Sequence, residues 1–307
     1  MDMNLADLVE QFGSNDRCRD YLEHLRWPDG VTCPKCESKS VSRIKTRKQF
    51  DCNSCRNRFS VTAGTVFHDS HLPLWKWFAA VYLMCESKKG ISALQLKRML
   101  KIGSYETAWY LCHRIRSAMD DGGREMLAGI VEADETYVGG KRTGFASRQD
   151  AARGRMANKS IVLGAIERGG ELRVRVVADA ESHTVKAFLQ DVVSGDAEAI
   201  YTDSHRSYRG VADHNTRHEW VNHAADEWVR GDVHTNTVES AWSLFDRAVI
   251  GSYHKLSKKH LQAYLDEFAF RFNNRDNPHL FRDTILKLIE GTTLPYQELI
   301  SQEVRRA

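Results

Sequence analysis

Four cysteines constrain this chain more than any other feature. Cys33-x2-Cys36 is followed after fifteen residues by Cys52-x2-Cys55, the spacing at which two tight turns present four thiolates tetrahedrally to one Zn²⁺. The alternative is two pairs of buried free thiols. The intervening Pro34, Lys35, Asn53 and Ser54 are turn formers rather than core residues, which favours metal. Four protein ligands close such a site, leaving no coordination position for catalysis. Its zinc is expected to be structural, because a unit this small lacks the apolar area to fold alone. Cys18, Cys85 and Cys112 lie on helix-like segments and are expected to be core thiols.

Charge divides the chain. The segment Cys33 to Met119 carries 16 Lys and Arg against 5 Asp and Glu, a balance of +11, while the rest carries 28 against 36, or −8. A basic N-terminal third on an acidic body suggests a polyanion-binding head joined to a region that collects carboxylates. With 307 residues at 42% hydrophobic, two or three packed units are expected. No apolar run approaches the roughly 18 to 20 residues that cross a bilayer, and the acidic N-terminal stretch is unlike a secretory leader, so a cytoplasmic location without membrane partners is expected.

Residues 1 to 30 read as short amphipathic helices, with Leu5, Leu8, Val9 and Phe12 at helical spacing. Residues 31 to 67 read as turn, strand, turn, strand, with VSRIKTRKQF as one alternating strand. Residues 68 to 125 return to helical periodicity. Within them ISALQLKRML, KIGS and YETAWYLCHRIRSAM have the rhythm of a helix-turn-helix, capped by Ser92 and Ser104 with Gly103 in the turn. The second helix is expected to offer Tyr105, Glu106, His113, Arg114 and Arg116 outward. Both DNA contact and plain packing fit that pattern, and the local basic charge favours DNA.

From 126 to 307 the pattern is three strands, a helix, a strand, a short helix, a further strand, and then helices broken at Asn277-Pro278. This is an α/β order with a mixed sheet. The strand GIVEADETYVGG places Glu132 and Asp134 on one face and Ala133 and Glu135 on the other. Asp203 ends the strand AEAIYTD, where an open α/β sheet exposes its chemistry. Glu239 lies on the next long helix, with Asn236 one turn earlier on the same face. Hard oxygen ligands from two strands and a helix suit a pair of Mg²⁺ ions in phosphoryl transfer.

RWPDGVTCPKC, FSVTAGTVF after the second cysteine pair, VEADETYVGGK, YTDSHRSY, HTNTVESAWSLF and SYHKLSKKHLQAYLDEFAFRFNNR, in this order, resemble the zinc-ribbon DDE transposases of bacterial insertion sequences, the fifteen-ninety-five family. The resemblance spans nearly the whole chain. It implies an RNase H-like catalytic domain behind a zinc ribbon and a helical linker. It also implies binding of double-stranded DNA at the element ends and target, and metal-dependent strand cleavage and transfer by a homodimer or larger assembly. Asp134, Asp203 and Glu239 stand where the family has its DDE acids, which hold Mg²⁺ or Mn²⁺. Some members are described with asparagine third, which Asn236 matches, so both residues stay candidates; Glu239 is favoured because a carboxylate neutralises a cation. Many relatives carry lysine seven residues past the glutamate, where this chain has Asp246 followed by Arg247. His234 is a candidate to flank the metals or a plain surface histidine. Arg43, Lys45, Arg47, Lys48, Arg114 and Arg116 are the expected DNA contacts, and the loop Lys141 to Lys159, with six basic residues and one acid, is a further one. A zinc-ribbon regulator without catalysis and an RNase H-type nuclease are the rival readings.

Overall fold

The computed structural model describes residues 3–120, 125–139, 159–211 and 216–301. They form two compact units: the chain up to Asp120 together with Asp276–Ser301, and the stretch between these that ends at Arg275.

The first unit opens with helices α1 (Leu5–Phe12) and α2 (Asn15–Arg26). Asn4 and Asp7 cap α1 reciprocally, each side chain accepting from the other's backbone N–H. Leu8, Phe12, Cys18 and Leu22 form the buried face. Phe12 meets Phe78 of α3 (Leu74–Glu86) with ring centroids 5.0 Å apart, and Phe281 of α9 (Leu280–Glu290) at 5.8 Å. Thr293 donates to the Thr65 carbonyl, and Tyr110 to that of Leu294. The helices after Asp276, α9 and α10 (Tyr296–Ser301), therefore belong to this unit. That corrects the reading of 126–307 as one domain. Their apolar faces show that they need a partner, but only contacts with residues far away in sequence show which one.

Between α2 and α3 lies a three-stranded antiparallel sheet, β1 (Val41–Ile44), β2 (Gln49–Cys52) and β3 (Arg58–Phe59). The single strand expected over VSRIKTRKQF is a hairpin, pairing Val41 with Cys52 and Ile44 with Gln49. Ten extended residues would span about 33 Å and carry Cys52 away from Cys36. The polar run Lys45 to Lys48 turns instead, with Lys48 in the left-handed region at φ 52°.

Helices α4 (Ala93–Met99) and α5 (Tyr105–Arg116) carry the expected caps, Ser92 accepting from Gln95 N–H at 3.1 Å and Ser104 from Thr107 N–H at 3.0 Å. The outward face expected for α5 is corrected. Tyr105 and Glu106 are exposed, whereas His113, Arg114 and Arg116 are buried. Arg114 donates to the carbonyls of Val66 and His68 and lies over the Trp77 ring at 5.0 Å. Buried loop carbonyls need donors, and a long guanidinium supplies them while its stem packs among apolar side chains.

The second unit is a five-stranded sheet in the order β6-β5-β4-β7-β8. Its strands are β4 (Ile130–Val138), β5 (Ser160–Glu167), β6 (Leu172–Val177), β7 (Ala199–Asp203) and β8 (Arg217–Val221). The β4–β5 and β5–β6 pairs are antiparallel, while β4–β7 and β7–β8 are parallel. This is the mixed sheet of the expected RNase H-like fold. Helix α6 (Ser182–Val192) covers one face, packing Val185, Phe188 and Leu189 on Val131, Ala133 and Leu163. Helices α7 (Asn236–Ala248) and α8 (Leu261–Asn273) cover the other, with Val238, Trp242, Phe245 and Leu265 on Val162 and Ile166. Side chains of α8 satisfy the edge strand: Asn273 bonds both backbone groups of Leu172, and Gln262 accepts from Val176 N–H. Such cover keeps an edge from pairing with another chain.

Candidate zinc centre and active site

The two cysteine pairs form equivalent knuckles. Glu37 N–H donates to the Cys33 carbonyl and Arg56 N–H to that of Cys52; both donors are left-handed, at φ 58° and 60°. Non-glycine residues adopt this conformation only where the surroundings require it, here to aim two sulfurs at one point. All four Sγ atoms lie within 4.8 Å of one another, Cys33–Cys55 at 3.7 Å and Cys36–Cys52 at 3.5 Å. A tetrahedron with Zn–S bonds of ~2.3 Å has edges of about 3.8 Å, so the four fit Zn²⁺. Backbone N–H groups of Cys55 and Ser54 stabilise the Cys52 thiolate, drawing its pKa down to about 6. The surrounding core is small, chiefly Phe50 and Phe59 beneath Trp27. The three remaining cysteines are buried, as expected of core thiols.

In the second unit Asp134 and Asp203 stand at one end of the sheet. The β4–β7 ladder runs from Ile130–Ala199 to Glu132–Tyr201. Asp134 and Asp203 each lie two residues past its last pair, at the same level and on the same face. Asp134 faces α7, where Trp242 Nε1–H donates to its Oδ2 at 3.1 Å. The indole can lie there because the cross-strand neighbour of Asp134 is Gly164: a Cβ at that position would come within 2.3 Å of the ring. Asp203 Oδ1 accepts from His205 N–H at 2.9 Å. Glu239 Oε1 accepts from Thr235 Oγ1 at 2.8 Å and lies 3.5 Å from His223 Nε2, whose ring lies tilted against Trp228 with centroids 4.4 Å apart. Asn236 is the first residue of α7 and is exposed.

Burial raises the Asp134 pKa to about 7, aided by the charges of Glu135 and Asp203 and more weakly by Glu239. Burial and neighbouring negative charge both favour the neutral form of Asp134, and carboxylate oxygens are the hard donors that divalent cations take. Glu135 points to the opposite face, accepting from Tyr208 Oη–H at 2.8 Å. Glu132 shares the Asp134 face but is fully buried and engages Arg168, Thr237 and Val238. His234 is drawn into that same group, its Nδ1 3.0 Å from Arg168. His223, Trp228, Trp242 and Gly164 were not singled out by sequence; their approach to the acids depends on packing across the sheet, and no local spacing announces it.

Among the expected DNA contacts, Lys45 and Arg47 sit exposed on the β1–β2 turn. Arg43 pairs with Glu23 and lies over the Phe50 ring at 4.8 Å, and Lys48 pairs with Asp16. Arg114 and Arg116 are buried, which corrects their placement on an outward DNA-facing surface. Asp246 is exposed, and Arg247 bonds Ser243 at 2.9 Å. The loop Lys141 to Lys159 lies outside the described residues except for Lys159.

Two family models match the chain, one described as ISXO2-like transposase domain over residues 126–273 and one as transposase zinc-ribbon domain over residues 13–58. A protein described as uncharacterized in transposable element ISH50, from Halobacterium salinarum, is 33% identical over 277 residues, covering 86% of this chain and 92% of that one. The chain belongs to the ISXO2-like, zinc-ribbon transposase family. Two solved structures share a distant likeness with this transposase. A simian T-cell lymphotropic virus intasome in complex with PP2A regulatory subunit B56 gamma is 13% identical over 71% of this chain and 74% of that one, with a TM-score of 0.26. A pre-cleavage Mos1 transpososome is 10% identical over 71% and 80%, with a TM-score of 0.27. No helix among the described residues of the transposase is long and apolar enough to cross a membrane.

Proposed function

We propose that this transposase binds the terminal repeats of its own element as double-stranded DNA and catalyses strand cleavage and strand transfer at Asp134, Asp203 and Glu239. The observation that carries this reading is that Asp134 and Asp203 stand at one level on one face of the sheet, two residues past the β4–β7 ladder, with Glu239 on the helix that Asp134 faces. Their oxygens would hold Mg²⁺ or Mn²⁺. When bound, such ions polarise phosphoryl oxygens and offset the charge of in-line displacement. Trp242 fixes the Asp134 carboxylate from one side, His205 N–H fixes Asp203, and Thr235 orients Glu239. Asn236 stands one turn before Glu239 and offers a neutral amide, so Glu239 is the better third ligand.

Water first attacks the phosphodiester at the element end, its oxygen joining phosphorus as the P–O3′ bond breaks and the 3′ oxygen takes up a proton. The freed 3′ hydroxyl then attacks a target phosphodiester, losing its proton while another P–O3′ bond breaks. One ester bond replaces another, so transfer needs no external energy source. Lys45 and Arg47 on the zinc-ribbon turn, with Arg43 and Lys48 beside them, would contact phosphates, and uniting two ends calls for a dimer or larger assembly. The test is to combine the purified protein, Mg²⁺ and DNA from the borders of its gene, and to follow 3′ processing and joining to a plasmid. Joined products support transposition. Cleavage without joining points to a nuclease, and binding without cleavage to a regulator.

A further inference from the structure

Glu132 is the one acid on the Asp134 face of β4 that stays out of the carboxylate cluster. Its side chain is completely buried. Oε1 accepts from Arg168 Nε at 2.7 Å and from Thr237 Oγ1 at 2.9 Å, with His234 Nδ1 at 3.2 Å. Oε2 accepts from the backbone N–H groups of Thr237 at 2.7 Å and Val238 at 3.2 Å. An ionised carboxylate offers about four lone-pair sites, so four donors leave none for a metal ion.

The two backbone donors decide what this group does. Thr237 and Val238 are the second and third residues of α7, whose N–H groups an N-cap side chain normally satisfies. The residue at that cap, Thr235, makes no capping bond; its hydroxyl donates to Glu239 Oε1 instead. Glu132 thus caps α7 from a central strand, and a negative charge there complements the helix dipole. Arg168, itself over the Tyr201 ring at 5.0 Å, supplies the counter-charge.

We infer that Glu132 is a positioning residue: it pins the first turn of α7 to β4, and so fixes Glu239 relative to Asp134, which lies two residues further along the same strand. Because Glu132 caps the helix, Thr235 is free to orient the Glu239 carboxylate. This inference rests on the reading of Asp134, Asp203 and Glu239 as metal holders.

The experiment titrates Mn²⁺ alone into the full-length, zinc-loaded protein by calorimetry, with thermal melting in parallel. Glu132→Gln keeps the shape but turns one acceptor oxygen into a donor facing donors. Its Mn²⁺ dissociation constant should rise by about tenfold or more, the usual scale for losing a group that orients a metal ligand, and excess Mn²⁺ should restore part of the strand transfer. Ile166→Val, a core change on the α7 face of the neighbouring strand, should lower stability without moving that constant. A Glu132→Gln constant equal to wild type, or moved no more than by Ile166→Val, overturns the inference. If Glu132→Gln does not fold, Thr237→Val removes only the hydroxyl donor and should shift the constant less, in the same direction; an unchanged constant again overturns it. The underlying reading fails separately: Asp134→Asn should abolish Mn²⁺ binding, and if it does not, the metal assignment falls and the positioning role with it.

Discussion

The zinc ribbon and the proposed acid site would draw on metal donors by opposite means. In the ribbon all four sulfurs lie between Cys33 and Cys55, aimed by two local knuckles, and the apolar support is a few rings around Phe50 and Phe59. In the sheet unit the proposed donors are scattered from Asp134 to Glu239, on a body with packed layers on both faces of its sheet. Metal in the ribbon is therefore part of its folding energy. In the sheet unit the fold has its own core on both faces of the sheet, so a metal at the proposed acid site would serve the chemistry rather than the folding.

The sharpest test of this contrast is zinc removal. Cys36→Ser with Cys55→Ser should abolish the one bound zinc and unfold residues 30 to 65, since structural zinc supplies about 10–16 kcal/mol in comparable small units. Hydrogen exchange should show that loss while the sheet unit keeps its protection. Retained protection across the ribbon would break the comparison.

Next in size are Asp134→Asn, Asp203→Asn and Glu239→Gln. Each should leave folding intact and lower strand transfer at least about a hundredfold, since each 1.36 kcal/mol of lost stabilisation is about tenfold in rate. Asn236→Ala should be mild. An active Glu239→Gln enzyme beside a dead Asn236→Ala enzyme would reassign the third ligand and leave both aspartates in place.

A smaller effect belongs to the ribbon surface. Lys45→Ala with Arg47→Ala should weaken DNA binding at every sequence and flatten the salt dependence by about 0.9 per lost phosphate contact. Arg43→Ala should also disturb the ribbon itself, because Arg43 is tied to Glu23 and Phe50. An unchanged salt slope in the double variant places DNA contact elsewhere.

The smallest effect is on stability against pH with zinc retained and no other divalent ion. The folded Asp134 pKa is raised from 3.8 to about 7, so across that window the folded state binds a proton that the unfolded state has released. Its contribution therefore makes stability fall as pH rises through the window. Asp134→Asn removes that loss: its melting temperature should exceed that of the wild type most above about pH 7 and match it near the ordinary value of 3.8. A gap independent of pH would show that Asp134 is not held against other charges.

Local features were legible in the sequence in proportion to how close their parts lie along the chain. The cysteine spacing, the Ser92 and Ser104 caps and the position of Asp203 at a strand end all depend on neighbours within a turn or a strand. The hairpin inside VSRIKTRKQF is not legible from alternation alone, which does not reveal a turn; the demand that Cys52 return to Cys36 does. Charge usually marks an exposed face, so helical spacing points Arg114 and Arg116 outward, whereas carbonyls at Val66 and His68 give Arg114 a reason to be buried.

The sequence by itself determined the donor chemistry of this transposase: soft thiolates at a knuckle spacing that fits zinc, hard carboxylates on strands and a helix at the site proposed for a divalent ion, and the alternation that puts Glu132 and Asp134 on one face. Only the tertiary structure decided that these two neighbouring acids differ in kind. Asp134 is left among other carboxylates, while Glu132 has its lone pairs filled by Arg168 and the first turn of α7. A carboxylate's role depends on the donors and charges within a few ångströms. Here those come from residues far away along the chain, which packing alone brings near.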